Sequence, residues 1–186
     1  MPDMVKKVAF SWLEHSSKED HQILAPYLAE EKERAWEHLI DLLHTQRGHE
    51  GPLLVDMYTH NLQTAAYAER DGADEETVVC ALFHDVAHYV SPYTHGRVVA
   101  EMLRPFISDT NYWLLVNHTV FQSYYSAHHL GRDRHARERH LGEPWYEAAV
   151  RFATWDQRAF DPSFQVPPLD HFLPAVRRVF GRPPKF

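Results

Sequence analysis

The chain is expected to fold as an all-α protein, on three observations. Apolar residues recur at helical spacing in nearly every segment, strict strand-type alternation is scarce, and the turn signals fall between helical stretches. In order, a first amphipathic stretch runs over Val5–His15, and a longer helix is expected over Asp20–Gln46, bent early by Pro26. Gly48–Pro52 reads as a loop. Asp56–Asp71 follows, with Asp56 as N-cap and Gly72 as the stop, and Asp74 then caps a helix reaching Tyr89. After the Ser91-Pro92 break come helices over Tyr93–Leu103 and Ser108–Ala127, the latter stopped near Gly131. The arginine-rich stretch Arg132–Arg139 reads as a solvated face. Pro144 suits the first turn of a helix running to Phe160, and Pro162, Pro167 and Pro168 make an extended connection to a last helix over Asp170–Phe180.

A chain of 186 residues, 44% of them hydrophobic, is long enough for one domain with a substantial core and too short for two ordinary ones. A formal charge of −7 and scattered Lys and Arg argue against nucleic-acid binding. No run approaches the roughly 18 apolar residues of a membrane span, and the N-terminus has no basic-then-apolar leader, so a soluble, cytoplasmic protein without a membrane partner is expected. Cys80 is the only cysteine, which excludes an intrachain disulfide and a thiolate metal cluster. The 15 histidines are unusual, and they are not gathered at one end.

The informative segment is Leu82-Phe83-His84-Asp85-Val86-Ala87-His88, a His-Asp pair inside an apolar helical run. A buried carboxylate without a partner is strongly destabilising, whereas a neighbouring cation turns it into a ligand. His84 and His88 lie one turn apart and share a face, and Asp85 stands about 100° around from His84, placed to bridge two metals side by side. His60 sits in the preceding helix, joined through a connection short enough for antiparallel packing. His95 and His118 come from the next two helices and Asp156 from the last long one, each among apolar neighbours as an inward-facing ligand would be.

His60, His84-Asp85 and Asp156 resemble the four-ligand signature of the HD-domain metal-dependent phosphohydrolases. His95 and His118 resemble the extra ligands of the two-metal branch, which includes myo-inositol oxygenase and the phosphonate-cleaving HD-domain oxygenases. Similarity to the latter extends to His60-x-Leu62-Gln63-x-Ala65, Arg70-x-Gly72-Ala73-Asp74, His84-Asp85-x-x-His88-Tyr89, Trp155-Asp156 and Gln165-Val166-Pro167-x-Leu169. The similarity covers Tyr58 to Phe180, which makes 51–186 the HD domain, a helical bundle with the metal site in its core. Residues 1–50 are an N-terminal helical extension expected to pack on it.

The resemblance implies a mixed-valence Fe(II)/Fe(III) centre, with His60, His84, Asp85, His95, His118 and Asp156 as ligands and Asp85 bridging. Dioxygen and a small hydroxylated polar substrate are the implied partners. The all-nitrogen-and-oxygen donor set also suits manganese and does not exclude zinc. His88 is expected beside the substrate as an acid or base. Two lysines that hold the phosphonate in the similar oxygenases are replaced by Gln122 and Phe160, so Gln122 and the nearby Arg158 are expected to take over substrate binding, together with Gln63. Glu50 is the one candidate for the glutamate that gates the iron. The alternatives are a phosphohydrolase acting on a phosphate ester or nucleotide, and a non-catalytic module that keeps its metal for stability. His128-His129 and the remaining histidines read as surface or capping residues.

Overall fold

The computed structural model describes residues 5–49 and 51–186. They fall into two compact units, one ending at His38 and one spanning Leu39–Phe186.

In the first unit the expected helix over Val5–His15 is absent apart from a 3₁₀ turn at Leu13–His15. The Ala9 amide is instead taken by Asp20 Oδ1 at 2.7 Å. Asp20 also completes a capping box with Ser17 at the start of α1 (Lys18–Glu33). The donated bonds from Ala9 and Ser17 hold its carboxyl below the usual carboxylate range. The long helix expected over Asp20–Gln46 is two helices: Arg34, at φ −96° and ψ 5°, ends α1, and α2 (Ala35–Thr45) follows. From Leu39 onward α2 belongs to the second unit, where Leu39 and Leu43 are buried.

The second unit is all-helical among the described residues: α3 (Met57–Arg70), α4 (Glu75–Phe83), α5 (His95–Leu103), α6 (Asp109–Gln122), α7 (Tyr146–Asp156) and α8 (Leu169–Phe180). Short 3₁₀ turns lie between α6 and α7. The caps are side-chain bonds read from the sequence: Asp56 accepts from Thr59 N at 2.7 Å and Asp74 from Thr77 N at 2.8 Å. Gly72, at φ +72°, ends α3 in a left-handed turn, and the Ala73 amide reaches back to Ala68 O at 3.0 Å.

Helix α3 packs on α4 and α7, α6 on α5 and α7, and α8 on α4. From His60 to Ala68 every residue of α3 is buried, so its polar side chains point into protein and must find partners there. Trp155 on α7 donates to Asp71 Oδ2 at 2.7 Å and joins two of the motifs singled out above, Trp155-Asp156 and the turn at Gly72. No helix of the described residues is long and apolar enough to cross a membrane.

The arginine-rich stretch is less solvated than expected. Arg134 and Arg137 are half-buried, with their guanidinium carbons 4.2 and 3.6 Å from the centre of the Tyr124 ring.

Glu76 ties α4 to the start of α6. Its Oε1 accepts from Ser108 N at 2.5 Å and Asn111 Nδ2 at 2.9 Å, and Oε2 accepts from Arg182 at 2.5 Å. Partial burial pushes this carboxyl up, but the donated bonds outweigh it and hold it below its ordinary value. A depressed carboxyl stabilises the fold above its unfolded pKa, and that contribution is lost as pH falls through the folded value. Glu76→Gln is therefore expected to cost about 1 kcal/mol at pH 7, and little at pH 3, in denaturant melts of both proteins.

Candidate metal centre

The chain breaks helical geometry where the chemistry sits. Helix α4 ends at Phe83, not at Tyr89 as the apolar spacing predicts, and 84–90 form tight turns. The cause is hydrogen-bond competition. The Asp85 amide, which would continue the helix by bonding to Ala81 O, goes to Asn61 Oδ1 at 3.3 Å. Ala81 O accepts instead from the His84 ring at 2.8 Å. Gln46 Nε2 takes Asp85 O at 2.6 Å, and Asn61 Nδ2 donates to Gln46 Oε1 at 2.9 Å.

All six residues expected as ligands converge. One group forms around His60 Nε2, which lies 3.2 Å from His84 Nε2, 3.3 Å from Asp156 Oδ1 and 3.7 Å from Asp85 Oδ2. A second forms around Asp85 Oδ1, 3.0 Å from His95 Nε2 and 3.3 Å from His118 Nε2, with the two imidazoles 3.2 Å apart. Ligand atoms each about 2.1 Å from one ion stand roughly 3.0–3.4 Å apart; the second group falls in that range, and the first runs slightly wider, to 3.7 Å. Asp85 turns one carboxylate oxygen to each group.

The four imidazoles are oriented alike. Each Nδ1 faces a backbone carbonyl: Ala159 for His60, Ala81 for His84, Pro92 for His95 and Leu115 for His118, at 2.7 to 3.2 Å. A carbonyl only accepts, so each Nδ1 carries the proton and each Nε2 turns inward as a donor atom for a cation.

Electrostatics point the same way. Burial works against a charged His84, yet the Asp85 and Asp156 carboxylates outweigh it and raise His84 to about 9. Burial likewise opposes charge on Asp85, but His84 and the bonds from His118 and His95 hold it well below the ordinary carboxylate range. Asp156 is lowered too, its burial outweighed by His84 and His60. Asp156 Oδ2 is buried and has no hydrogen-bond partner, a donor atom that a cation would satisfy. The cluster favours positive charge at its centre, and its nitrogen and oxygen donors suit first-row metal ions. Cys80 is buried outside the donor set, its thiol pushed up by burial.

The remaining expected residues divide. His88 lies at the mouth: its donor atom falls within 4.8 Å of those of Asp85 and His95, and its Nδ1 is buried without a partner. Burial lowers its pKa, opposed by Asp85 and helped by His95. Beyond it opens a cavity of about 370 Å³, bounded by His49, Pro52, Leu53, Met57 and Tyr89. Gln122 donates to Asp156 Oδ1 at 2.6 Å and so supports a ligand. Gln63 is paired in both directions with the backbone of Asp161. Arg158 is exposed and lies over the Tyr67 ring, about two turns along α3 from His60. Glu50 lies outside the described residues. Phe160, read only as a lost lysine, stacks on the His60 ring at 4.4 Å. Gln46, Asn61 and Gly96 were not singled out from the sequence; for Gly96 the one available signal was a glycine directly after a ligand histidine.

Fold and site together define a helical metal-binding protein of the histidine–aspartate class. The HD domain model matches residues 57–154, more than half of the chain, and the protein belongs to that family, whose typical members are metal-dependent phosphohydrolases. The match includes His60, His84, Asp85, His95 and His118, and Asp156 follows two residues beyond it. No curated protein matches the chain.

Proposed function

We propose that this protein is an oxygen-dependent oxidase or oxygenase of small hydroxylated polar molecules, built on a pair of iron ions. The observation that carries the reading is the second group. His60, His84, Asp85 and Asp156 suffice for one metal, yet His95 and His118 enclose the other oxygen of Asp85 at 3.0 and 3.3 Å. A bound iron pair supplies the electron-transfer chemistry with O2 that no side chain here provides.

The chain's residues hold, orient and expose. His60, His84 and Asp156 are fully buried, whereas Asp85 and His95 retain 6% and 7% exposure, so substrate and O2 approach on the side of the second group. Asp85, His95 and His118 give three side-chain atoms to that group, with the His88 donor atom within 4.8 Å of those of Asp85 and His95, which leaves room for exchangeable partners. His88, kept neutral by burial, has a ring nitrogen free to accept a proton from a substrate hydroxyl at the mouth. The substrate reading follows from charge. Gln122 and Phe160 are neutral and Arg158 is turned to Tyr67, so these positions present no cation for a phosphonate, and a neutral hydroxylated compound fits better.

A phosphohydrolase is the second reading, favoured by the family and by the self-sufficient first group with a neutral base nearby. The deciding experiment loads the protein with Fe(II) without air and then admits O2 with polyols, hydroxy acids and hydroxyalkyl phosphonates. Oxygen uptake tied to substrate loss is expected. Phosphate released from esters or nucleotides without O2, and no oxygen uptake, would establish the hydrolase instead. In the active assay His88→Ala is expected to lower kcat on the order of 10²-fold to 10⁴-fold while metal content stays unchanged.

A further inference from the structure

Both backbone polar groups of Asp85 are held by side chains from other helices. Its amide donates to Asn61 Oδ1 at 3.3 Å, and its carbonyl accepts from Gln46 Nε2 at 2.6 Å. Asn61 and Gln46 are joined to each other at 2.9 Å, and Asn61 is anchored to its own helix at Met57 O at 2.8 Å. Both side chains are completely buried, where unmade hydrogen bonds are expensive and each bond made fixes geometry. The pair also draws the Asp85 amide out of α4, so it sets the turn from which the carboxylate projects.

We propose that Gln46 and Asn61 are positioning residues that aim the Asp85 carboxylate between two metal positions, and that without them the chain holds one ion in place of a coupled pair. The proposal rests on the metal-pair reading. Neither residue lies within the donor set, and both act through the backbone of Asp85. The first position has His60, His84 and Asp156, while the second is built around Asp85 Oδ1 itself, with His95 and His118 on it and His88 nearby. Mis-aiming Asp85 therefore falls on the second ion. Outer partners of metal ligands typically change affinity about 10-fold to 100-fold.

The test is titration of the full chain with Mn²⁺ alone, followed by equilibrium binding and electron paramagnetic resonance. The variants are Gln46→Met, which keeps length and removes the bonds, and Asn61→Ala, with circular dichroism of the metal-free proteins as the folding control. The expected result is two ions with an exchange-coupled spectrum in the parent protein. In folded variants one ion and an uncoupled six-line signal are expected, the second affinity having fallen about 10-fold to 100-fold. If Asn61→Ala does not fold, Gln46→Met decides. Folded variants that bind two coupled ions as tightly as the parent would overturn the positioning role and leave the metal pair standing. A parent protein that binds fewer than two ions, or two without coupling, would overturn the metal-pair reading itself.

Discussion

Gly96→Ala is expected to destabilise the protein and to empty the second metal position, although helix propensity alone predicts a gain. Alanine inside a helix is favoured over glycine by about 1 kcal/mol. Gly96 is the second residue of α5, however, and a Cβ there would meet Leu115 O at 2.7 Å and the His118 ring at 2.8 Å. Neither can give way easily, because one is backbone and the other is held to that same carbonyl at 2.7 Å. The missing side chain lets α5 and α6 approach until the His95 and His118 nitrogens stand 3.2 Å apart. Overpacking of this kind costs about 1–3 kcal/mol, or a fall in Tm of roughly 2–10 °C for a chain of this size. Thermal melts of the metal-free protein separate the two signs, and Mn²⁺ titration reads the second ion. A raised Tm with two ions retained would mean that the helices separate without cost.

Asp85→Ala is expected to have the largest effect on activity. One side chain serves both groups, through Oδ2 to His60 and His84 and through Oδ1 to His95 and His118. Without it the second group keeps only imidazoles and the first loses one of its two charges. We expect loss of the second ion, weakened binding of the first, and turnover lower on the order of 10⁴-fold, the scale seen when a group that works as a unit with others is removed. Metal analysis of the purified variant together with the oxygen-uptake assay measures this. Asp156→Asn is the informative comparison, since it should spare the second group and affect the first.

The helical class was legible from apolar spacing, and the His84-Asp85 pair because buried charge inside an apolar run has few physical explanations; His60, His95, His118 and Asp156 were legible as ligands through their resemblance to the HD-domain pattern. The end of α4 was not legible. Helical periodicity continues through Val86 and Ala87, and what stops the helix is Asn61 and Gln46, distant in sequence and ordinary in type. Similar reasoning explains the residues expected at the substrate. Gln122 lies one turn after His118, from which it can face either solvent or a neighbouring ligand, and only the placement of α7 turns it to Asp156. Arg158 was read by its distance along the chain from Asp156, but α7 ends at that aspartate and the guanidinium turns to Tyr67. Gly96 carried no periodic signal, because its role is the absence of an atom.

The uneven burial of the two groups bears on how bound ions would exchange. His60, His84 and Asp156 are fully buried, whereas Asp85 and His95 keep a little exposure. If the protein holds two ions, as proposed, the inner one is expected to exchange more slowly than the outer, and a chelator is expected to strip the outer ion first, leaving a half-loaded species whose lifetime is set by the opening of the fold.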